Sequence, residues 1–297
     1  MAKSHLMAKP VRVDAVMLEA RAALLAKRSF KTTAKQAGIE LALACIDLTT
    51  LEGKDTPGRV QALCARAQRP APGVGPVAAV CVYPSLVAVA HTALAGSGVK
   101  VASVATAFPS GQAPLAVKLA DTRAAVAAGA DEIDMVIDRG AFLSGEFAQV
   151  VREIEEVKSA CGRAQLKVIL ETGELGSYAA IRLACDLALG AGADFIKSST
   201  GKIGVSATPA TALLMAEAIR DHLRRSGRCA GLKLAGGIRT TKQALGYLAI
   251  VNETLGDAWL TPQRLRLGAS TLLDDLLMQR LKEQSGSYAG RAYVASV

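Results

Sequence analysis

Short apolar runs alternate along the chain with longer segments in which apolar residues recur at helical spacing. The apolar runs predict eight strands, at 41–47, 77–82, 99–106, 131–137, 166–171, 193–197, 230–235 and 265–268. The segments with helical spacing predict eight helices, at 57–68, 85–96, 113–129, 146–161, 175–191, 208–225, 240–254 and 270–284. An amphipathic, basic segment at about 11–37 predicts a further helical region ahead of the first strand.

Turn and capping residues support these boundaries. Gly129, Gly192 and Gly227 stand where three of the predicted helices end, and glycine is the residue that most often follows a helix. Thr208 followed by Pro209 is typical of a helix start, because threonine caps the first turn and proline fits its first position.

The alternation of eight strands with eight helices predicts an α/β fold, the (β/α)8 TIM barrel, with an extra N-terminal helical segment. A doubly wound sheet is the alternative, but it would need a glycine-rich turn where this chain has DLTTL at 47–51. We expect three parts: a helical extension at 1–40, one catalytic barrel domain at 41–284 and a flexible tail at 285–297.

The composition is that of a globular protein with a large core, since 51% of the 297 residues are hydrophobic. The formal net charge is +9, from 35 basic and 26 acidic residues. The basic residues are spread through predicted helices without a long run, so we do not expect nucleic acid as a partner. A positive field that attracts a phosphorylated metabolite accounts for the charge equally well.

The six cysteines include no C-x-x-C pair, which is typical of reduced core residues in a cytoplasmic protein. The three histidines lack metal-ligand spacing, so we expect neither a metal nor a cofactor. The segment 70–99 carries no charged residue, but four prolines and four glycines interrupt it, and we do not expect it to enter a membrane. We also see no pattern of a signal peptide.

Polar residues stand at the ends of five predicted strands, where barrel enzymes place their active sites: Asp47, Asp134, Glu171, Lys197 and Lys233. Acids and lysines that converge there can form a proton relay around a reactive amine. A partly buried lysine close to a second ammonium group has a lowered pKa and becomes a nucleophile toward carbonyl carbon. We therefore predict Lys197 as nucleophile and Lys233 as the perturbing charge. Alternatively, both lysines belong to a structural network with Asp47 or Asp134.

Glycine-bearing turns follow the last three strands, at 201–202, 236–237 and 268–270, and predict a phosphate site. A nucleotide-binding P-loop at 200–202 is excluded, because Ile203 stands where that motif needs serine or threonine. Cys81, at the end of the second predicted strand, is either a reactive thiol in the site or a core residue.

Six segments along about residues 40–285 together resemble the deoxyribose-phosphate aldolases, a class I aldolase family: CIDLTTLEGKDT, CVYP, DEIDMVIDRG, DFIKSSTGK, LKLAGGIRT and LGASTLL. The resemblance implies reversible cleavage of 2-deoxy-D-ribose 5-phosphate to D-glyceraldehyde 3-phosphate and acetaldehyde through a lysine Schiff base, in deoxynucleoside breakdown. Two alternatives stay open, another Schiff-base aldolase or transaldolase and a non-catalytic phosphate-binding barrel.

The resemblance also implies roles for individual residues. Lys197 would be the Schiff-base lysine, Lys233 and Asp134 the proton donor and acceptor, and Asp47 a support for the lysine pair. The substrate phosphate would be held by Thr200, Gly201, Lys202, Gly236, Gly237 and Ser270. A homo-oligomer, as a dimer, is implied as well. The end of the chain is similar to a longer, eukaryote-like branch, in which Tyr288 or Tyr293 is the candidate to reach the site.

Overall fold

The computed structural model describes residues 12–204 and 207–286, which contain a closed barrel of eight parallel strands. The strands are β1 (Ile46–Thr49), β2 (Ala79–Val82), β3 (Lys100–Ala105), β4 (Glu132–Val136), β5 (Gln165–Ile169), β6 (Phe195–Lys197), β7 (Gly231–Ala235) and β8 (Leu265–Ala269). Neighbours in the barrel follow the chain order, and β8 closes the barrel by pairing with β1. The predicted (β/α)8 barrel is thereby confirmed.

Helices surround the barrel and precede its first strand. They are α1 (Ala15–Ala26), α2 (Thr32–Ala44), α3 (Pro57–Gln68), α4 (Val87–Ala93), α5 (Leu115–Ala127), α6 (Arg139–Leu143), α7 (Phe147–Ala160), α8 (Tyr178–Gly190), α9 (Pro209–Ser226), α10 (Thr241–Leu255) and α11 (Leu272–Ser285). The short α6 was not predicted, because five residues are too few to display a helical period. None of the described helices has the length and apolarity that crossing a membrane requires.

The first predicted strand is wrong over most of its length. Residues 41–44 are the last turn of α2, and β1 begins only at Ile46. The run LALA is apolar on every side, so its pattern cannot separate a buried helix turn from a strand. Tertiary packing decides in favour of the helix. A Cβ atom on Gly38 would lie 2.6 Å from Leu245 Cδ2, so α2 lies directly against α10.

Side chains of the strands alternate between two environments, as the period of two requires. Those that point outward, such as Ile133, Met135 and Ile196, join the aliphatic core beneath the helices. Many of those that point inward are small or charged, such as Ala79 and Asp134, although the Phe195 ring also lies inside, against Lys167. Ionisable groups therefore fill much of the centre of this barrel.

The N-terminal helix α1 is attached to the outside of the barrel. Leu18 and Ala22 are buried beneath it, and Arg21 forms an ion pair of 2.6 Å with Glu217 of α9. At the other end of the chain, Gly286 caps α11. Residues 1–11 and 287–297, including Tyr288 and Tyr293, lie outside the described residues.

Candidate active site

Seven charged side chains converge at the centre of the barrel, and each is at most 4% exposed. This ion network consists of Asp47, Glu132, Asp134, Lys167, Lys197, Lys233 and Arg266. The strand register brings the members together, since Lys197 lies opposite Lys233 and Asp134 opposite Lys167. The four residues predicted as catalytic thus belong to one connected set.

Asp134 is the centre of the network. Its Oδ2 accepts hydrogen bonds from Lys197 Nζ and Lys233 Nζ, each at 2.8 Å. Its Oδ1 accepts a third from Lys167 Nζ at 3.0 Å. Burial alone would raise the pKa of Asp134, but the three ammonium groups outweigh it and hold the pKa well below its usual value. Asp134 is therefore a carboxylate at any ordinary pH.

Lys233 has a second carboxylate, Asp47, whose Oδ2 contacts its Nζ. Burial alone would lower the pKa of Lys233, but Asp134 and Asp47 together raise it above the usual value. Asp47 itself receives a bond of 2.7 Å from Arg266 Nη1. Burial would raise the pKa of Asp47, but Lys233 and Arg266 lower it. Lys233 thus stays an ammonium ion beside Lys197.

Lys197 is in a different electrostatic situation. Burial lowers its pKa, Asp134 opposes this effect, and the Lys233 ammonium lowers the pKa further. The net shift is downward, which increases the neutral fraction of the amine, the form that attacks a carbonyl carbon. Of the seven network residues, Lys197 is the one that lines the open cleft above the strands. Lys197 therefore has both a lowered pKa and an opening to the cleft.

The cleft lies at the carboxyl ends of the strands and has a volume of about 460 Å³. Its lining includes all six residues predicted to hold phosphate: Thr200, Gly201, Lys202, Gly236, Gly237 and Ser270. Gly236 and Gly237 have φ angles of +97° and +92°, a region that only glycine enters readily. The structure thus places the predicted phosphate turns and Lys197 around one cavity.

Further cations line the same cleft, namely Lys54, Arg59 and Arg239. The sequence interpretation did not include them. Arg239 follows the predicted glycine turn by two residues, so its position was a usable signal. Lys202 Nζ lies 3.0 Å from Glu52 at the exposed rim.

Glu171 does not join the ion network, although it ends a predicted strand. Its carboxylate accepts a bond of 2.6 Å from the Ser199 hydroxyl and one of 3.1 Å from the Thr200 amide. The Thr200 hydroxyl donates to the other carboxylate oxygen. Glu171 is fully buried and holds the loop that follows β6, and it contacts none of the seven network residues.

Three members of the network, Glu132, Lys167 and Arg266, were missed in the sequence. Each lies inside a predicted strand rather than at its end. The available signal was the period of two: Glu132 precedes Asp134 by two residues and must share its inward direction. Nothing local indicates that Lys167 and Arg266 meet them.

Cys81 points into the barrel beside Leu51, Ala102 and Val104. Burial raises the pKa of its thiol to about 11, so the group is protonated at neutral pH. A buried, protonated thiol is typical of a core cysteine, the second of the two alternatives, although the thiol also lies near Asp134 and Lys197.

The comparisons with known proteins agree with this geometry. A family model described as DeoC/LacD family aldolase matches residues 41–277. The deoxyribose-phosphate aldolase of Mus musculus is 45% identical over 289 residues, covering 93% of this chain and 91% of the relative. That of Homo sapiens is 45% identical over 278 residues, with 89% and 87% covered.

Solved structures give the same result. The deoxyribose phosphate aldolase of Aeropyrum pernix, described as tetrameric, superposes with a TM-score of 0.64 at 28% identity. The match covers 84% of this chain and 93% of that one. The family match, the close relatives and the shared fold lead to one conclusion: this chain belongs to the DeoC/LacD family of aldolases.

Proposed function

We propose that this protein is a deoxyribose-phosphate aldolase, which reversibly cleaves 2-deoxy-D-ribose 5-phosphate into D-glyceraldehyde 3-phosphate and acetaldehyde. Relatives of that name at 45% identity over most of both chains support the proposal. The structural observation that carries it is Lys197, the network lysine that has a lowered pKa and lines the cleft.

In the proposed reaction, Lys197 Nζ attacks C1 of the open-chain sugar, and loss of water leaves a protonated imine. A base then takes the proton of the C3 hydroxyl, and the C2–C3 bond breaks. Its electron pair moves to C2 and the imine nitrogen, giving glyceraldehyde 3-phosphate and an enamine. Protonation of the enamine at C2 restores the imine, and water releases acetaldehyde and the free lysine.

Lys233 and Asp134 are the groups we assign to proton transfer in this cycle. Asp134 accepts a hydrogen bond from the Lys197 amine, and Lys233 donates to the same Asp134 oxygen. Both groups therefore lie where water and the hydroxyl of the first addition product must exchange protons. Lys233 keeps its proton because two carboxylates contact it. Asp47 positions Lys233 and does not reach the cleft.

The substrate phosphate binds in our proposal against the turns after β6, β7 and β8. Their glycines leave backbone amides uncovered, and Lys202 and Arg239 supply positive charge. The formal net charge of +9 adds a field that attracts a dianionic substrate.

Borohydride reduction in the presence of acetaldehyde tests the assignment of Lys197. The trapped imine should add about 28 Da to the peptide that contains Lys197, since an ethyl group replaces one amine hydrogen. Lys197→Met should give no adduct and no cleavage of deoxyribose phosphate. An adduct on another lysine would contradict the site. Cleavage of fructose or sedoheptulose phosphates in preference to deoxyribose phosphate would contradict the substrate.

We further propose that the protein is a cytoplasmic homodimer. The related Aeropyrum pernix enzyme is described as tetrameric, which supports self-association, and Val16, Met17 and Leu24 of α1 are 77%, 55% and 68% exposed. Five of the six free cysteines are buried, as expected for a reducing compartment. Light scattering coupled to gel filtration checks the assembly, and the mass of one chain, 30.7 kDa, or of four chains would contradict the dimer.

A further inference from the structure

The ion network contains unequal numbers of positive and negative groups. Its carboxylates are Asp47, Glu132 and Asp134, and its cations are Lys167, Lys197, Lys233 and Arg266. All seven are at least 96% buried, so water cannot compensate for an excess charge. If every group were ionised, the centre of the barrel would hold one uncompensated positive charge.

The contacts show which cation is in excess. Arg266 binds Glu132 through Nη2 at 2.7 Å and Nη1 at 3.0 Å, and its Nη1 also binds Asp47. Lys233 contacts Asp47 and Asp134. Lys167 contacts Glu132 and Asp134 and lies 4.0 Å from Asp47.

Among the described residues, Lys197 has a single carboxylate within reach, Asp134, which also accepts from Lys167 and Lys233. A buried network of this kind is most stable when its charges balance, and loss of one proton balances it. Arginine keeps its proton under all ordinary conditions, so one of the lysines must give it up. Lys197 has the fewest acceptors and the only opening to the cleft.

The directions of the pKa shifts agree with this account. Burial lowers the pKa of Lys167, but Asp134 and Glu132 outweigh it, and the net pKa is raised. The pKa of Lys233 is raised as well, whereas that of Lys197 is lowered. Lys167 is fully buried and does not line the cleft.

We infer that Lys167 is a positioning residue that keeps Lys197 unprotonated, because it occupies Glu132 and Asp134 and leaves Lys197 as the surplus cation. This inference rests on the proposed function, in which Lys197 is the nucleophile. Lys167 acts through Asp134 and does not touch the reacting atoms. Its effect is therefore a matter of charge count, which separates it from a purely structural ion pair.

Other groups around the two lysines complete the charge account. Lys167 faces Glu132 and Asp134 of β4, Asp47 of β1 and Lys233 of β7, with its Nζ 5.9 Å from the centre of the Phe195 ring. Arg266 of β8 reaches it through Glu132. Lys197 faces Asp134, Lys233 and the Cys81 thiol, whose pKa of about 11 keeps it uncharged at neutral pH.

Lys167→Met tests the inference through the pH dependence of imine trapping by borohydride. With Lys167 absent, three cations including Lys197 match three carboxylates, so Lys197 should keep its proton to higher pH. The midpoint of trapping should move up by about one unit or more, with a loss of about tenfold in turnover near neutral pH that recovers at alkaline pH. Lys167→Arg, which keeps the charge, should show a midpoint near that of the unmodified protein.

Lys118→Met is the matched control. Lys118 is also fully buried and ion-paired, with Glu153 at 2.7 Å, but it lies on α5 outside the barrel. We expect this variant to lose thermal stability without a shift of the trapping midpoint. A midpoint shift in Lys118→Met equal to that in Lys167→Met would overturn the inference, since loss of any buried lysine would then suffice.

Two further variants test whether removing a negative charge from the network has the opposite effect. Glu132→Gln leaves four cations against two carboxylates, so the midpoint should move toward acid. Lys167→Met combined with Glu132→Gln removes one charge of each sign and should bring the midpoint back to within about half a unit of the original. If Lys167→Met alone does not fold, the acid shift of Glu132→Gln and the restored midpoint of the pair decide the question.

An unchanged midpoint in folded Lys167→Met, or a Glu132→Gln midpoint that does not move toward acid, would overturn the inference. The proposed function fails in a different way, by the absence of an adduct on Lys197 in the unmodified protein. The two failures are therefore distinguishable in one set of trapping experiments.

Discussion

Lys197 and Lys233 are register partners on β6 and β7, and both donate to the same oxygen, Oδ2 of Asp134, at 2.8 Å. Two identical side chains thus share one acceptor at the same level of the barrel. They differ in what else they contact, since Lys233 also reaches Asp47 and Lys197 reaches the cleft. That difference raises the pKa of Lys233 and lowers the pKa of Lys197, as our proposal of a proton donor beside a nucleophile requires.

Replacement of Lys233 by leucine should remove both its proton and its effect on Lys197. We expect Lys233→Leu to lower the cleavage rate by at least about 10²-fold, the usual scale for an acid–base group. Because the Lys233 charge lowers the pKa of Lys197, its loss should move imine trapping to higher pH. Steady-state rates and trapping across pH measure both effects. A variant with the original rate and pH profile would rule out this role.

Lys197→Met should stabilise the inactive protein at neutral pH, because a folded-state pKa below the usual value means that the fold disfavours the protonated amine. At pH values below the lowered pKa, Lys197 is protonated in both the folded and the unfolded chain, and the buried charge destabilises the folded protein by its full amount. As pH rises toward the ordinary lysine pKa of about 10.4, Lys197 loses its proton in the folded protein first, and this destabilisation becomes smaller.

The gain in Tm from Lys197→Met should therefore shrink as pH rises from near 7 toward 10. Thermal unfolding of both proteins across this range checks the trend. Lys118→Met provides the contrast, since Lys118 is bound to Glu153 and its removal should lower Tm. A loss of stability in Lys197→Met at neutral pH would contradict the idea of a surplus cation.

Glu171→Gln should weaken binding of the phosphorylated substrate while leaving the chemistry intact. Glu171 holds Ser199 and Thr200, which precede the phosphate turn. Loss of charge-assisted hydrogen bonds there should raise KM by about tenfold with little change in kcat. Steady-state kinetics with deoxyribose phosphate measure substrate binding, and the midpoint pH of imine trapping shows whether Lys197 is affected. A fall in kcat with KM unchanged would instead place Glu171 in the chemical step.

The matched control for Glu171→Gln is Glu174→Gln. Glu174 is three residues away and pairs with Arg139 at 2.8 Å, but its side chain is 42% exposed. We expect KM and kcat close to those of the unmodified protein, because an ion pair with an exposed carboxylate contributes little.

Gly237→Val should test the phosphate turn after β7. Gly237 has a φ angle of +92°, so a branched residue strains the turn and covers its amides. Binding of deoxyribose phosphate should weaken by about tenfold or more, whereas turnover of unphosphorylated deoxyribose should hardly change. Gly96→Val is the control, with a φ of +75° at the start of the segment leading into β3, away from the cleft. Equal losses with both substrates would indicate a structural turn.

Much of the fold was predictable because its signals are local. The period of two or of 3.6 in apolar positions depends on a few neighbouring residues, and seven of the eight strands were placed to within two residues. The prediction for residues 41–44 was wrong because this run is apolar on all sides, and only its packing against α10 makes it helical. Lys197, Lys233 and Asp134 were found because strand ends of a parallel barrel meet at one rim.

The sequence by itself determined the order of the elements, the inward direction of Lys197 and Lys233, and the glycine turns above them. Only the tertiary structure decided how the charges combine. Glu132, Lys167 and Arg266 come from strands far apart in the chain and meet because the barrel closes. The protonation of Lys197 depends on the sum over all these buried charges. Such a sum has no local pattern, because each contribution depends on distance and burial rather than on neighbours in sequence.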